Sequence, residues 1–266
     1  MADVWARGEP YEAYVGRWSR LAAGEFVEWL AVPEDAAWLD VGCGTGALTE
    51  LVLARAGPAS VTGVDPSEGF LEFARAAVLD GRASFAVGDA QELPFADGSF
   101  DAAVAGLVLN FVPEPAQAAR EMARVTRAGG VVAAYVWDYG GDMQMMRHFW
   151  DAAGELDPRA RELDEGQRFS VARPDGLASL VRAVGLADVE TRPIDVPTSF
   201  RDFDDYWGPF LGGQGPAPAY LSSLAPAEAD ALREAVRARV PIASDGSIRL
   251  LARAWAVKGR VDASAG

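Results

Sequence analysis

Between residues 37 and 137, short runs of β-branched and other apolar residues alternate with stretches whose apolar positions recur at helical spacing. The runs predict strands over 37–41, 60–64, 83–87, 101–105 and 130–137. The stretches between them predict helices over 47–56, 68–79 and 115–126, the last closed by Ala128-Gly129-Gly130, where glycine can end a helix. Strands and helices alternating in this way are the sign of parallel strands joined by right-handed helical crossovers, an α/β fold.

After Trp137 the alternation lapses. Residues 138–169 read as a helical excursion rich in Met143, Met145, Met146, Phe149 and Trp150, a composition that suits core packing of an inserted helix. Order resumes with a helix over 174–184, a turn at Gly185 and a strand over 188–196. A second excursion, 197–247, holds the loop Gly212-Gly213-Gln214-Gly215-Pro216 and an amphipathic stretch over 227–239. A last strand is expected over 248–257. Both excursions then interrupt one sheet, and the expectation is one domain over 1–266. Its parts are a helical leading segment (1–35), a core (36–137), two insertions (138–169 and 197–247) and a final strand (248–258).

Composition narrows the function. The chain has 266 residues, half of them apolar, enough for one large core. A net charge of −15 repels a phosphate backbone, so no nucleic-acid partner is expected. Cys43 is the one cysteine, which leaves no intrachain disulfide and no cysteine-based zinc site. Residues 1–10 interleave Asp3, Arg7 and Glu9 with apolar positions, unlike a secretory signal, and the longest apolar runs are too short to span a bilayer. A soluble cytoplasmic protein, not inserted in a membrane and without a metal site, is the expectation; the oligomeric state stays open.

The strongest local signal is Leu39-Asp40-Val41-Gly42-Cys43-Gly44-Thr45-Gly46-Ala47, where a strand should end in a glycine turn and pass directly into a helix. Such glycines let a ligand approach the backbone, and the helix start offers unpaired N–H groups. Gly42, Gly44 and Ala47 also satisfy the glycine pattern of nicotinamide-dependent dehydrogenases. Asp40, however, is awkward beside a pyrophosphate and suits a ligand with an ammonium and a sulfonium centre. Val64-Asp65 ends the second strand with a carboxylate able to accept from both hydroxyls of a ribose. Val87-Gly88-Asp89-Ala90 sets a carboxylate and a small residue at the next strand tip, where an adenine amino group could be read.

These three stations together resemble the class I S-adenosylmethionine-dependent methyltransferase family, particularly its quinone-biosynthesis-like, type 11 branch, over roughly residues 36–137. The resemblance implies a Rossmann-like, seven-stranded, mostly parallel sheet flanked by helices, with helical lid insertions after strand 5 and between strands 6 and 7. It also implies S-adenosyl-L-methionine as cofactor and S-adenosyl-L-homocysteine as product. On that pattern the segment Gly42–Gly46, with Gly42, Gly44 and Gly46, wraps the methionine part, Asp65 holds the ribose, and Asp89 and Ala90 flank the adenine; Asp40 and Pro66 are counted with them as cofactor-binding. Phe70 stands where the family often has a Met packing on adenine. Leu107, just beyond the fourth strand, should border the cofactor. The stretch 11–18 resembles the family's leading helix, with Arg17 as partner of the cofactor carboxylate and Tyr14 beside it; a solvated Arg17 and core aromatics are the plainer alternative.

Methyl transfer from a sulfonium is an in-line displacement in which the protein mainly aligns the acceptor. His148, the one histidine, is the candidate base for a phenol or alcohol, against a purely structural role. The insertions could cover the carboxyl edge of the sheet as a substrate lid. Their aromatics Tyr139, Phe149, Trp150, Phe203, Tyr206, Trp207 and Phe210 would then favour a small aromatic or apolar acceptor, or else form only a lid core. Two other readings stand beside methyl transfer: a nicotinamide-dependent oxidoreductase, and a cofactor-binding protein without catalysis.

Overall fold

The computed structural model describes residues 17–212 and 215–262, with Arg17 described in its backbone only. Seven strands form one sheet in the order β3-β2-β1-β4-β5-β7-β6. They are β1 (Ala37–Val41), β2 (Ser60–Asp65), β3 (Ala83–Val87), β4 (Phe100–Gly106), β5 (Thr126–Trp137), β6 (Ala187–Phe200) and β7 (Ile248–Arg260). The pairs β1 with β2, β1 with β4, β2 with β3 and β4 with β5 are parallel. Strand β7 runs the other way: Gly129 N donates to Val261 O at the start of β5, and Asp138 N donates to Arg253 O just past its end. The mixed, mostly parallel sheet expected from the resemblance is therefore present.

Chain between the parallel strands forms α2 (Ala47–Arg55), α3 (Glu68–Ala77) and α4 (Pro115–Val125), preceded by α1 (Arg17–Leu30). Central strands β1 and β4 are almost wholly buried, which is why they read as continuous apolar runs, whereas edge strand β3 leaves Val87 53 % exposed. Several boundaries differ from the sequence reading. Helix α4 stops at Val125 because Thr126 is already extended, its hydroxyl donating back to Met122 O at 2.7 Å, so Gly129 and Gly130 lie inside β5. Residues 197–200, expected in the second insertion, instead prolong β6 to Phe200, and β7 continues to Arg260.

The residues divide into two compact units. One comprises 19–136, 171–194 and 254–262, with α1 to α4, α7 (Pro174–Ala183) and most of the sheet. Within it the apolar face of α1 is closed by Phe26, tilted against Tyr135 at 4.7 Å between centroids, while Lys258 caps the Trp29 ring at 4.6 Å.

The other unit comprises 137–170, 195–212 and 215–253 with residues 17 and 18. It holds α5 (Gln144–Leu156), α6 (Glu165–Arg168), α8 (Phe203–Trp207), α9 (Pro216–Ser223), α10 (Pro226–Arg239) and two short 3-10 turns. Its aromatics pack on one another: Phe149 stacks on Phe210 at 4.6 Å, and Phe203 on Tyr206 and Trp207. Arg147 forks onto Asp164 with contacts of 3.0 and 2.7 Å, and Trp150 Nε1 donates to the buried Glu165. No helix of the described residues is long and apolar enough to cross a membrane.

Candidate functional site

Three of the sequence stations meet at the tips of β1, β2 and β3. The chain leaves β1 through Gly42 (φ +70°), Gly44 (φ +52°) and Gly46 (φ +86°), left-handed conformations that L side chains rarely adopt. A Cβ at Gly42 would stand 2.5 Å from Val108 Cγ2, whereas one at Gly44 would meet nothing within 4 Å. The middle of the turn thus faces open space, and its base is wedged against the segment that follows β4. Gly46 is the residue from which α2 starts.

Strand β2 ties the turn down. Gly42 N and Cys43 N donate to Val64 O at 2.7 and 3.0 Å, and Gly44 N donates to Asp65 Oδ2 at 3.0 Å. The other carboxylate oxygen of Asp65 accepts from Ser67 N at 2.9 Å, and Ser67 caps α3 through Phe70 N. Gly88 N donates to Asp65 O at 3.2 Å, which draws in the tip of β3. Since a carboxylate has about four acceptor positions, Asp65 keeps capacity for a ligand.

Asp40 lies deeper, 1 % exposed. Its Oδ2 accepts from the Thr49 hydroxyl at 2.7 Å, and its Oδ1 has no protein partner among the described residues. Burial pushes its pKa up to about 7; Thr49 pulls it down and the charge of Asp65 pushes it up. Burial raises Asp65 as well, against the two backbone donors. Between these acids the Cys43 thiol is driven far upward by burial and by both charges, so it stays protonated and unreactive.

Asp89 is exposed and turns its carboxylate onto Gln91 N at 2.8 Å, while Ala90 is buried. That loop is clamped from α4: Gln117 Nε2 donates to Gln91 O, and the Glu121 carboxylate accepts from Leu93 N at 2.8 Å. Phe70 is buried and Pro66 exposed. Leu107 is buried with φ +62°, its N–H donating to Tyr135 O at 2.8 Å. A left-handed leucine stores roughly 1–2 kcal/mol of strain.

His148 sits half-buried on α5 in the other unit, where burial lowers its pKa, Asp151 opposes that and Arg239 adds to it. Tyr14 and the side chain of Arg17 lie outside the described residues. The sequence reading missed Thr49, Val108 and Asn110. Asn110 is 8 % exposed, and neither atom of its amide has a protein partner among the described residues. Leaving a buried donor or acceptor unsatisfied costs about 1–3 kcal/mol. The available signal was that Asn110 is the one polar side chain in the apolar run 102–112.

A glycine turn facing acids at two adjacent strand tips, on a sheet whose β7 is inserted in reverse between β5 and β6, defines a Rossmann-like nucleoside-cofactor protein. A family profile described as a methyltransferase domain matches residues 39–134. The chain is 33 % identical over 190 residues to the 2-methyl-6-phytyl-1,4-hydroquinone methyltransferase of Synechocystis, covering 69 % of this chain and 57 % of that protein. Against the demethylmenaquinone methyltransferase of Halalkalibacterium halodurans, identity is 33 % over 178 residues, covering 61 % of this chain and 72 % of that one. The fold matches a Haemonchus contortus phosphoethanolamine N-methyltransferase solved with S-adenosyl-L-methionine, with a TM-score of 0.58 at 16 % identity, over 93 % of this chain and 56 % of that one. The chain belongs to the S-adenosylmethionine-dependent methyltransferase family.

Proposed function

We propose that this protein transfers a methyl group from S-adenosyl-L-methionine to a small aromatic or apolar acceptor of hydroquinone or phenol type. The observation that carries the reading is the joined pair of acids at the open glycine turn. Asp40 offers an unshared carboxylate oxygen to an ammonium group, and Asp65 retains acceptor capacity for ribose hydroxyls. The residues therefore fit the cofactor, which supplies a methyl group already activated on a sulfonium. Gly42, Gly44 and Gly46 admit its methionine end, Asp65 and Pro66 border the ribose, and Phe70, Asp89 and Ala90 enclose the adenine. Leu107 bounds the site after β4. Arg17 and Tyr14 are assigned to the cofactor carboxylate, and His148 to proton removal where the acceptor is methylated on oxygen.

The acceptor class is supported by the names of the relatives and by a net charge of −15, which disfavours nucleic acid. The two insertions, placed in the chain after β5 and between β6 and β7, are proposed to select that acceptor. With a single cysteine and no membrane-crossing helix among the described residues, we assign the protein to the cytoplasm.

Calorimetry with S-adenosyl-L-homocysteine and with NAD, followed by turnover of S-adenosyl-L-methionine on phenols, hydroquinones and amines, tests the reading. Binding of the sulfur nucleoside with turnover on a hydroxylated aromatic is expected. Binding of NAD alone would make the chain an oxidoreductase, and binding without turnover on any acceptor would make it a non-catalytic binder.

A further inference from the structure

Beyond β4 the chain continues as Gly106-Leu107-Val108-Leu109-Asn110. Asn110 is the one side-chain amide among the described residues that is buried with both its oxygen and its nitrogen lacking a protein partner. The buried carboxylates and hydroxyl nearest in kind keep at least one bond, Asp40 to Thr49, Asp65 to two backbone donors and Thr126 to Met122 O, and the buried Trp38 indole, which also lacks a partner, leaves a single N–H unmet where Asn110 leaves both a donor and an acceptor. Buried polar groups are as a rule hydrogen-bonded, and a leucine of similar volume would fill the same apolar run without an unsatisfied amide. Packing alone therefore does not account for asparagine.

Position supplies the second half of the argument. Val108, two residues earlier, lies against the backbone of Gly42, so this peptide forms a wall of the turn assigned to the methionine end of the cofactor. We propose that the Asn110 amide binds a hydroxyl of the methyl acceptor, Oδ1 accepting its hydrogen and Nδ2 donating to its oxygen. The inference rests on the methyl-transfer reading and adds to it the residue that reads the acceptor. A phenol or hydroquinone hydroxyl offers donor and acceptor on one oxygen and so answers both halves of the amide. An ammonium offers only donors, and a carboxylate only acceptors. An amide is no base at neutral pH, so Asn110 orients the hydroxyl and leaves proton removal to another group.

The test uses the full chain saturated with S-adenosyl-L-homocysteine, kept anaerobic, and two probes: 1,4-dihydroxynaphthalene and 1,4-dimethoxynaphthalene, which has the same ring without the O–H groups. Wild-type protein should bind the diol at least about tenfold more tightly than the diether. Asn110→Leu, and Asn110→Ala as a variant that adds no bulk, should bind the two probes alike. Both should keep the affinity for S-adenosyl-L-homocysteine within about twofold. The ligand-free Tm of Asn110→Leu should equal or exceed that of wild type, the reverse of what removing a structural asparagine does. Undiminished discrimination in the variants, a wild type that binds neither probe or both alike, or a clear fall in the Tm of Asn110→Leu overturns the proposal while leaving methyl transfer standing. Failure of wild-type protein to bind S-adenosyl-L-homocysteine overturns both.

Discussion

The Thr49 hydroxyl donates to one oxygen of Asp40 at 2.7 Å from the first turn of α2, and the carboxylate's second oxygen is left without a protein partner among the described residues. A threonine on the helix that follows the glycine turn thus fixes the orientation of an acid on the strand that precedes it.

From this follows a pH dependence. The fold holds Asp40 with a pKa of about 7 against an ordinary 3.8, so it favours the neutral acid. Its contribution to stability is full below about pH 4 and lost as pH rises through about 7, on the order of 4 kcal/mol. An ammonium ligand reverses the preference by favouring the carboxylate. Binding of S-adenosyl-L-methionine near neutral pH is therefore expected to release a proton, read calorimetrically in buffers of different ionisation enthalpy. Asp40→Asn should abolish that release, weaken binding, and flatten the fall in ligand-free stability between about pH 4 and about pH 7.

Two neighbouring glycines should respond differently to the same substitution. Gly42→Ala adds a left-handed alanine and an overlap with Val108, for an expected loss of about 2–4 kcal/mol in chemical denaturation. Gly44→Ala meets no protein atom and should lose only about 1 kcal/mol. Its new methyl group enters the open side of the turn, so its affinity for S-adenosyl-L-homocysteine should nevertheless fall at least about tenfold. Unchanged affinity in Gly44→Ala would mean that the nucleoside does not use this turn.

His148 is held toward its neutral form by burial, the form a base requires at neutral pH. On an acceptor methylated at oxygen, His148→Ala should lower kcat roughly a hundredfold or more near pH 7. The deficit should shrink as the acceptor ionises unaided at higher pH, with cofactor affinity unaltered. A flat comparison of the two pH–rate profiles would remove His148 from the reaction.

The cofactor half was legible because its information is local. The strands of 37–137 announce themselves as apolar runs, and the glycines of 42–46 are needed where the backbone turns left-handed. What escaped was relational. Thr49 reads as an ordinary helix residue until its hydroxyl is seen on Asp40, and Val108 reads as core until it is seen against Gly42. Gly129 and Gly130 have the look of a helix stop, but the Thr126 hydroxyl had already closed α4 and the sheet took the glycines into β5. The aromatics of the insertions could be read as a pocket or as packing, a choice no single-chain pattern makes. In the structure they stack on one another.

Val108 makes one part answer to two ligands. Its methyl groups occupy the volume that any side chain at position 42 would need, while the same short peptide carries Asn110. Engineers who swap residues 107–110 to retune which compound is methylated would be reshaping the floor under the sulfur nucleoside as well. Donor and recipient affinities would then drift together across such a library, and altered preference would have to be selected jointly with retention of the donor.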